Sequence, residues 1–271
     1  MVTPHTLGTA LVTGASSGIG ALYAQRLAQR GYDLILVART AGRLDALAQR
    51  LRAGTGRAVE VIAADLGQRQ QLARVEAVLR SHGGISLLVN NAGFGAAAPL
   101  LDADVDNMTD LIELNVTALT RLTYAAVPGM VARGGGAVIN IASVVAVGPE
   151  ILNGVYGGSK AFVLAFSQSL RHELADKGIR VQAVLPGATA TAFWDRVGTP
   201  VAHLPGEIVM RAEDMVDAAL VGYDLGELVT IPSLPEAADW DAYEAARQQM
   251  MPNLSRQLPA ARYRTATPAR G

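Results

Sequence analysis

The sequence predicts an α/β fold: a doubly wound, mainly parallel seven-stranded sheet with helices on both faces. Three observations predict it. Short apolar runs alternate with helical stretches along the chain. The runs are continuously apolar rather than alternating, which suits strands buried on both faces. The connections are short, so right-handed crossovers lay successive strands parallel.

Taken in order, the first run is Thr9–Thr13, followed by a Gly/Ser turn and a helix over about 19–30. The second is Asp33–Ala38, with Leu34, Ile35, Leu36 and Val37 in succession. A helix with Leu44, Leu47 and Leu51 at spacings of three and four comes next. Val59–Ala63, 85–89, 137–141 and 179–185 are further strands, and 228–231 is the seventh. A helical segment over about 236–250 follows the last strand.

The 271 residues suit one α/β domain of ordinary size, read as 1–251. The tail, 252–271, lacks periodicity and reads as a mobile or oligomer-contact arm. Half the residues are hydrophobic and 17% are charged, which supports a buried core and excludes a disordered chain. A net charge of −1 offers no global attraction to nucleic acid or to anionic lipid. Without cysteine there are no disulfides or thiolate metal ligands, and no His/Asp/Glu cluster has ligand spacing, so no metal is expected. No apolar run reaches the roughly 18 residues that span a bilayer. Residues 1–9 lack the basic patch and apolar core of an export signal, which makes a cytoplasmic location the default.

The first strand runs into Thr13-Gly14-Ala15-Ser16-Ser17-Gly18-Ile19-Gly20. Glycines let such a turn approach a ligand closely, and the helix that follows aims free N–H groups and its positive dipole end at a pyrophosphate. A tight turn made only for packing is the plainer alternative. The strand–turn–helix context gives the motif its weight. The spacing Thr-Gly-x-x-x-Gly-x-Gly resembles the short-chain dehydrogenase/reductase family, in its single-domain branch, which has a Rossmann-type fold.

At the end of the second strand stands Arg39 where many dinucleotide folds carry an acid. An acid there accepts from the ribose hydroxyls, whereas an arginine welcomes a 2′-phosphate. Arg43, one turn on, can assist. NADP(H) is therefore expected over NAD(H), against the plainer reading of a solvated arginine.

Tyr156 and Lys160 lie four apart on the helix that runs to Leu174, so they share a face. A free tyrosine has a pKa near 10, and a neighbouring ammonium is expected to lower it toward general acid/base work. Ser143, just past the fifth strand, sits where open α/β sheets bind ligands and can donate to a substrate oxygen. The resemblance places Ser143, Tyr156 and Lys160 in the family's catalytic set, with Asn115 holding a water in a proton relay. A purely structural Asn115 is equally physical, since a polar residue on an apolar helix face needs a partner.

The remaining roles are implied by the resemblance. Gly14, Ser16, Ser17, Gly18, Ile19 and Gly20 hold the pyrophosphate. Asp65 and Leu66 meet the adenine, with a helix N-cap as the alternative for Asp65. Asn91, Ala92 and Gly93, from Asn90-Asn91-Ala92-Gly93, line the cofactor, and Asn91 supports the central sheet. Pro186, Gly187, Thr189 and Thr191 hold the nicotinamide carboxamide. Lys160 binds the nicotinamide ribose, and Tyr156 also borders the cofactor.

These elements imply hydride transfer between nicotinamide and a carbonyl or secondary alcohol. The partner is a small molecule, and neither nucleic acid nor a membrane is expected. Phe94, Phe193, Trp194, Ile208 and Met210 suggest an apolar pocket, or they pack as structure. His203 reads as a surface or packing residue. The last strand, Glu227-Leu228-Val229-Thr230-Ile231-Pro232-Ser233, departs from the family's usual close, which argues against the usual tetramer and against the fatty-acid-synthesis ketoacyl reductases. A homodimer or higher homo-oligomer through the helices of Asn115 and Tyr156 is expected. Two other readings are an NADP(H)-binding regulator or scaffold, and an isomerase or dehydratase on the same scaffold.

Overall fold

The apolar runs Thr9–Thr13, Asp33–Ala38 and Val59–Ala63 are β1, β2 and β3 in a computed structural model that describes residues 7–264. Residues 1–6 and 265–271 lie outside the described residues. Most of the start read for an export signal and the end of the tail go with them. The chain divides between Ser233 and Leu234 into two units.

In the first unit, α1 (Gly18–Gln29), α2 (Ala41–Thr55) and α3 (Arg69–Ser81) follow the first three strands. Next come β4 (Ile85–Asn90), α4 (Val105–Ile112), α5 (Leu119–Ala132), β5 (Gly136–Ile141), α6 (Gly154–Leu174) and β6 (Ile179–Val184). The unit ends with β7 (Thr189–Ala190), α7 (Phe193–Val197), β8 (Met210–Arg211), α8 (Ala212–Leu225) and β9 (Val229–Thr230). The main sheet has seven strands in the order β3-β2-β1-β4-β5-β6-β9. Every pairing in it is parallel. This is the expected Rossmann-type doubly wound sheet. The seventh strand is shorter than its apolar run, because only Val229 and Thr230 find partners, on Ala183 and Val184.

Alternation along each strand sends side chains to two separate cores. Ala10 and Val12 pack with Leu27 of α1, Leu44 and Leu47 of α2, and Met215 of α8. Leu11, between them, packs on the other face with Val75 of α3, Leu122 of α5 and Leu170 of α6. Both faces are dry, which is why the strands read as unbroken apolar runs.

One polar ladder crosses this interior. Asn90 Nδ2 donates to Asn140 Oδ1 at 2.9 Å and to Thr123 Oγ1 at 3.0 Å, and Asn140 Nδ2 donates to Ser167 Oγ at 2.9 Å. Buried amides need such partners, and the ladder ties α6 to the middle of the sheet. Two details had no trace in the apolar pattern. β7 and β8 pair with each other as a small separate sheet. Between α4 and α5, Glu113–Ala118 is a π-turn that carries Asn115.

The second unit contains α9 (Ala237–Met250), where Arg247 pairs with Glu244 and Trp240 packs on Tyr243. Ala261–Tyr263 forms one 3-10 turn within the tail. Among the described residues no helix is long and apolar enough to cross a membrane. Among them, no group of three or more His, Cys, Asp or Glu is arranged to hold a metal ion.

Candidate active site

Strand order reverses at β1 and β4, and in such sheets ligands bind in the crevice beyond the carboxyl ends of the strands. The candidate residues follow those ends: Gly14 after β1, Arg39 after β2, Asp65 after β3, Asn91 after β4, Ser143 after β5 and Pro186 after β6.

The Gly-rich turn is held from behind by the segment after β4. Asn91 Nδ2 donates to the Thr13 carbonyl at 2.9 Å, and Thr13 Oγ1 accepts from the N–H groups of Asn91 and Ala92, each at 2.9 Å. Gly14 has φ +65°, and a Cβ there would stand 2.7 Å from Asn91 Nδ2 and 3.0 Å from Ala92 Cα. The close approach therefore demands glycine. Ser17 leads into α1 without a side-chain cap, so no side chain satisfies the first N–H groups of the helix. An uncapped helix start behind a glycine cradle fits an anionic dinucleotide. Ser16, Ser17, Gly18 and Ile19 are half-buried and Gly20 is buried. Thr191 of the loop after β6 closes on this turn, with Cγ2 3.4 Å from where a Cβ of Gly18 would stand.

Arg39 and Arg43 are exposed and have no ion pair among the described residues. Asp65 is not the cap of α3, a position taken by Gln68. Its Oδ1 instead accepts from Gly67 N–H at 3.0 Å in a local turn, and Leu66 beside it is buried. In the last loop, Pro186 and Thr189 are buried, Gly187 and Thr191 half-buried, and Thr189 Oγ1 donates to the Gly187 carbonyl at 3.1 Å.

Ser143, Tyr156 and Lys160 converge in the crevice. All three are buried. The Ser143 side chain lies close enough to the Tyr156 phenol to lower its pKa. Ser143 Oγ also lies 3.4 Å from the Pro186 carbonyl and accepts from Val145 N–H at 3.3 Å. The Lys160 ammonium lies 5.9 Å from the centre of the Tyr156 ring and donates to the Ile141 carbonyl at 2.9 Å.

In the protein without cofactor the net shift of the tyrosine pKa is upward, opposite to the expected direction, because burial dominates it. Burial pushes the Tyr156 phenol up to about 12, against a smaller lowering by the Ser143 side chain. Burial also pulls the Lys160 ammonium down to about 8. Spacing in the sequence shows that the two side chains are neighbours, but not that both are dry.

The lysine shift has a measurable consequence. Lys160 falls from 10.5 to about 8 on folding, so the unfolded chain holds more protons between those values and stability rises with pH there. Below pH 8 the full cost of the buried charge is present. Lys160→Met is therefore expected to raise the melting temperature of the cofactor-free protein at pH 7. The gain over wild type shrinks steadily by pH 9.5, and a pH-independent difference between the two proteins would contradict the assignment.

Asn115 is buried and fully engaged by its neighbours. Its Oδ1 accepts from Phe94 N–H at 3.1 Å, and its Nδ2 donates to the Phe94 carbonyl at 2.9 Å and to Ser159 Oγ at 3.2 Å. Ser159 in turn donates to the Tyr156 carbonyl at 2.8 Å. Asn153, which the sequence reading did not single out, caps α6 by accepting from Val155 N–H at 2.8 Å. Its N–H and Nδ2 bind the carbonyls of Ala96 and Ala98 at 3.2 and 2.6 Å. An Asn immediately before an apolar helical run is an N-cap signal, and it was available. Phe193 packs against Tyr156 at 5.9 Å between ring centres. Leu111, Phe94, Val145, Leu152 and Val155 surround that pair with apolar surface.

Comparison with known proteins agrees with this fold. A family model described as short chain dehydrogenase matches residues 8–201. Serine 3-dehydrogenase of Rhizobium radiobacter is 37% identical over 188 residues, covering 69% of this chain and 74% of that protein. Human 17-beta-hydroxysteroid dehydrogenase type 3 is 35% identical over 221 residues, covering 78% and 66%. A short-chain dehydrogenase from Sphingobium yanoikuyae, solved in complex with NADPH, has a TM-score of 0.92 at 52% identity, covering 95% of this chain and 100% of that one. The bulky-bulky ketone specific alcohol dehydrogenase from Comamonas testosteroni gives 0.88 at 46% identity, covering 96% and 99%. On the family match, these likenesses and the shared Rossmann-type sheet, the chain belongs to the short-chain dehydrogenase family of oxidoreductases.

Proposed function

We propose that the protein reduces ketones with NADPH, and oxidises secondary alcohols in the reverse direction, with Tyr156 as general acid/base. The observation that carries this reading is the convergence of Ser143, Tyr156 and Lys160 beside the glycine cradle, in a dry crevice. When bound, the nicotinamide supplies a hydride to the carbonyl carbon. Ser143 donates a hydrogen bond to the carbonyl oxygen and polarises it. Tyr156, neutral at pH 7, delivers its proton to that oxygen, which completes the alcohol. The negative charge left on the phenol oxygen is offset by the Lys160 ammonium, which stays close through its hold on the Ile141 carbonyl. Asn115 has its side chain committed to Phe94 and Ser159, so its part in the proton relay to Lys160 is to fix the helical turn that holds the relay's water.

The turn from Gly14 to Gly20 would hold the pyrophosphate, Asp65 and Leu66 would meet the adenine, and Asn91-Ala92-Gly93 with Pro186, Gly187, Thr189 and Thr191 would hold the nicotinamide. Arg39, with Arg43, binds the 2′-phosphate. Support comes from their exposed, unpaired guanidiniums and from the NADPH in the Sphingobium yanoikuyae relative. The apolar surround of Tyr156 and the bulky ketones named for the Comamonas testosteroni relative support a largely apolar substrate. The working form is a cytoplasmic homodimer or higher homo-oligomer.

The test is oxidation of NADPH and of NADH against a panel of ketones, aldehydes and quinones, with wild type and Arg39→Ala. Wild type is expected to favour NADPH. Arg39→Ala, which alters an exposed side chain, should cut that preference by roughly ten- to a hundredfold, the worth of a hydrogen bond to a charged group. Equal use of NADH by both proteins would overturn the cofactor assignment.

A further inference from the structure

We infer that Phe193 forms the specificity-determining wall of the carbonyl site, and that Gly95 is the residue that makes room for it. The inference rests on the ketone-reductase reading and adds a substrate class: ketones carrying an aryl group on the side of the carbonyl that meets Phe193.

Three groups meet at one point beside the Tyr156 ring. A Cβ built on Gly95 would overlap the Phe193 ring, at Cζ and at Cε2 (2.6 Å), and would lie 3.4 Å from Tyr156 Cε2. The phenylalanine ring packs beside the tyrosine ring, 5.9 Å between centres and tilted 42° to it. Tyr156 is 6% exposed. A carbonyl that reaches its hydroxyl therefore has one substituent against the Phe193 ring. A flat aromatic group gains most from such a surface, through area burial and ring-on-ring geometry.

The wall is built from both sides. On the Phe193 side, Trp194 packs edge-on against it at 5.4 Å and donates its indole N–H to the Thr189 carbonyl at 3.0 Å. Phe193 N–H is held by Thr191 Oγ1 at 3.3 Å. On the Gly95 side, the strap from Phe94 to Ala98 is clamped twice, by Asn115 at both polar groups of Phe94 and by Asn153 at the carbonyls of Ala96 and Ala98. Gly95 is not among the glycines with positive φ, so alanine is compatible with its backbone. With the strap pinned, the added methyl is accommodated by the far end of the Phe193 ring. Gly95→Ala is thus a displacement of Phe193 rather than a loss of fold.

The experiment compares 1-phenyl-1-propanone with 2-butanone, which differ by phenyl against methyl on one side of the carbonyl. Steady-state kinetics with NADPH give the kcat/KM ratio of the two ketones. Calorimetric titration of 1-phenyl-1-propanone into protein saturated with NADP+ gives binding without turnover. Phe193→Ala is expected to lower the phenyl-over-methyl ratio by about tenfold or more, and to weaken binding of the phenyl ketone in step. Gly95→Ala should lower the ratio in the wild-type background and leave it unchanged in the Phe193→Ala background, because contacting residues couple. Phe193→Leu, which keeps the bulk but not the ring, should recover part of the binding. Equal phenyl-ketone binding by wild type and Phe193→Ala overturns the inference, as does a Gly95→Ala effect that persists without Phe193. If wild type turns over neither ketone but binding still depends on Phe193, the wall stands and the reductase reading falls.

Discussion

Tyr156→Phe is expected to lower kcat for ketone reduction by about 10²–10⁴-fold, the usual contribution of a positioned general acid, while leaving NADPH affinity and the melting temperature close to wild type. The argument runs from burial. Tyr156 packs as an aromatic body against Phe193 and Val145, and phenylalanine preserves that body. The change deletes one oxygen, which neighbours the Ser143 side chain. Ser143 keeps the Val145 N–H and the Pro186 carbonyl as neighbours, so no buried group is stranded. What is lost is the phenol O–H that gives the proton, which burial holds at about 12 and so protonated at pH 7. Stopped-flow reduction with saturating NADPH, alongside fluorescence titration of the cofactor, separates the two effects. Retained turnover in this variant would remove the tyrosine from the chemistry. Loss of turnover together with loss of NADPH binding would mean instead that the ring supports the cofactor.

The frame of this site was legible in the sequence to the degree that it depends on strands. Thr9–Thr13, Asp33–Ala38 and Val59–Ala63 fall on the apolar runs because both faces of a covered parallel sheet are dry. Each strand end then carries its functional residue to one side of the sheet. What did not show has a common cause, which is contact across long separations. Asn153 reaches Ala98, 55 positions away, and Gly95 touches Phe193, 98 positions on. Neither leaves a periodic trace. β7 and β8, of two residues each, are too short for one. The π-turn at Glu113–Ala118 adds one residue to a helical turn, which an apolar pattern does not register, yet it turns Asn115 toward Phe94 and Ser159. The direction of the Tyr156 shift was misread for a related reason. A spacing of four shows a charge nearby, whereas the burial that raises the phenol belongs to the packed core.

Gly20→Ala is expected to weaken NADPH binding by about tenfold or more and to cost about 1–3 kcal/mol of stability, the range of an overpacked core position. Helix propensity alone predicts the opposite, because alanine inside a helix gains up to about 1 kcal/mol over glycine. Steric geometry decides between the two. A Cβ at Gly20 would overlap the Gly14 carbonyl oxygen, lie 2.8 Å from the Gly14 carbonyl carbon and 2.5 Å from Asn91 Nδ2. None of these atoms belongs to the tip of a flexible side chain. The Gly14 atoms are backbone of the turn itself, and Asn91 is tied to the Thr13 carbonyl that fixes the turn. Relief therefore moves the cradle, and with it the N–H groups aimed at the pyrophosphate. Gly54→Ala provides the control. It lies in α2 with nothing within 4 Å of its would-be Cβ. There the propensity gain of about 0.5–1 kcal/mol should appear unopposed, with NADPH affinity unchanged. Calorimetric unfolding and cofactor titration of both variants set the two effects side by side. A Gly20→Ala protein that melts and binds NADPH like wild type would show that the turn yields freely, and the cradle would lose its role as a rigid anion site.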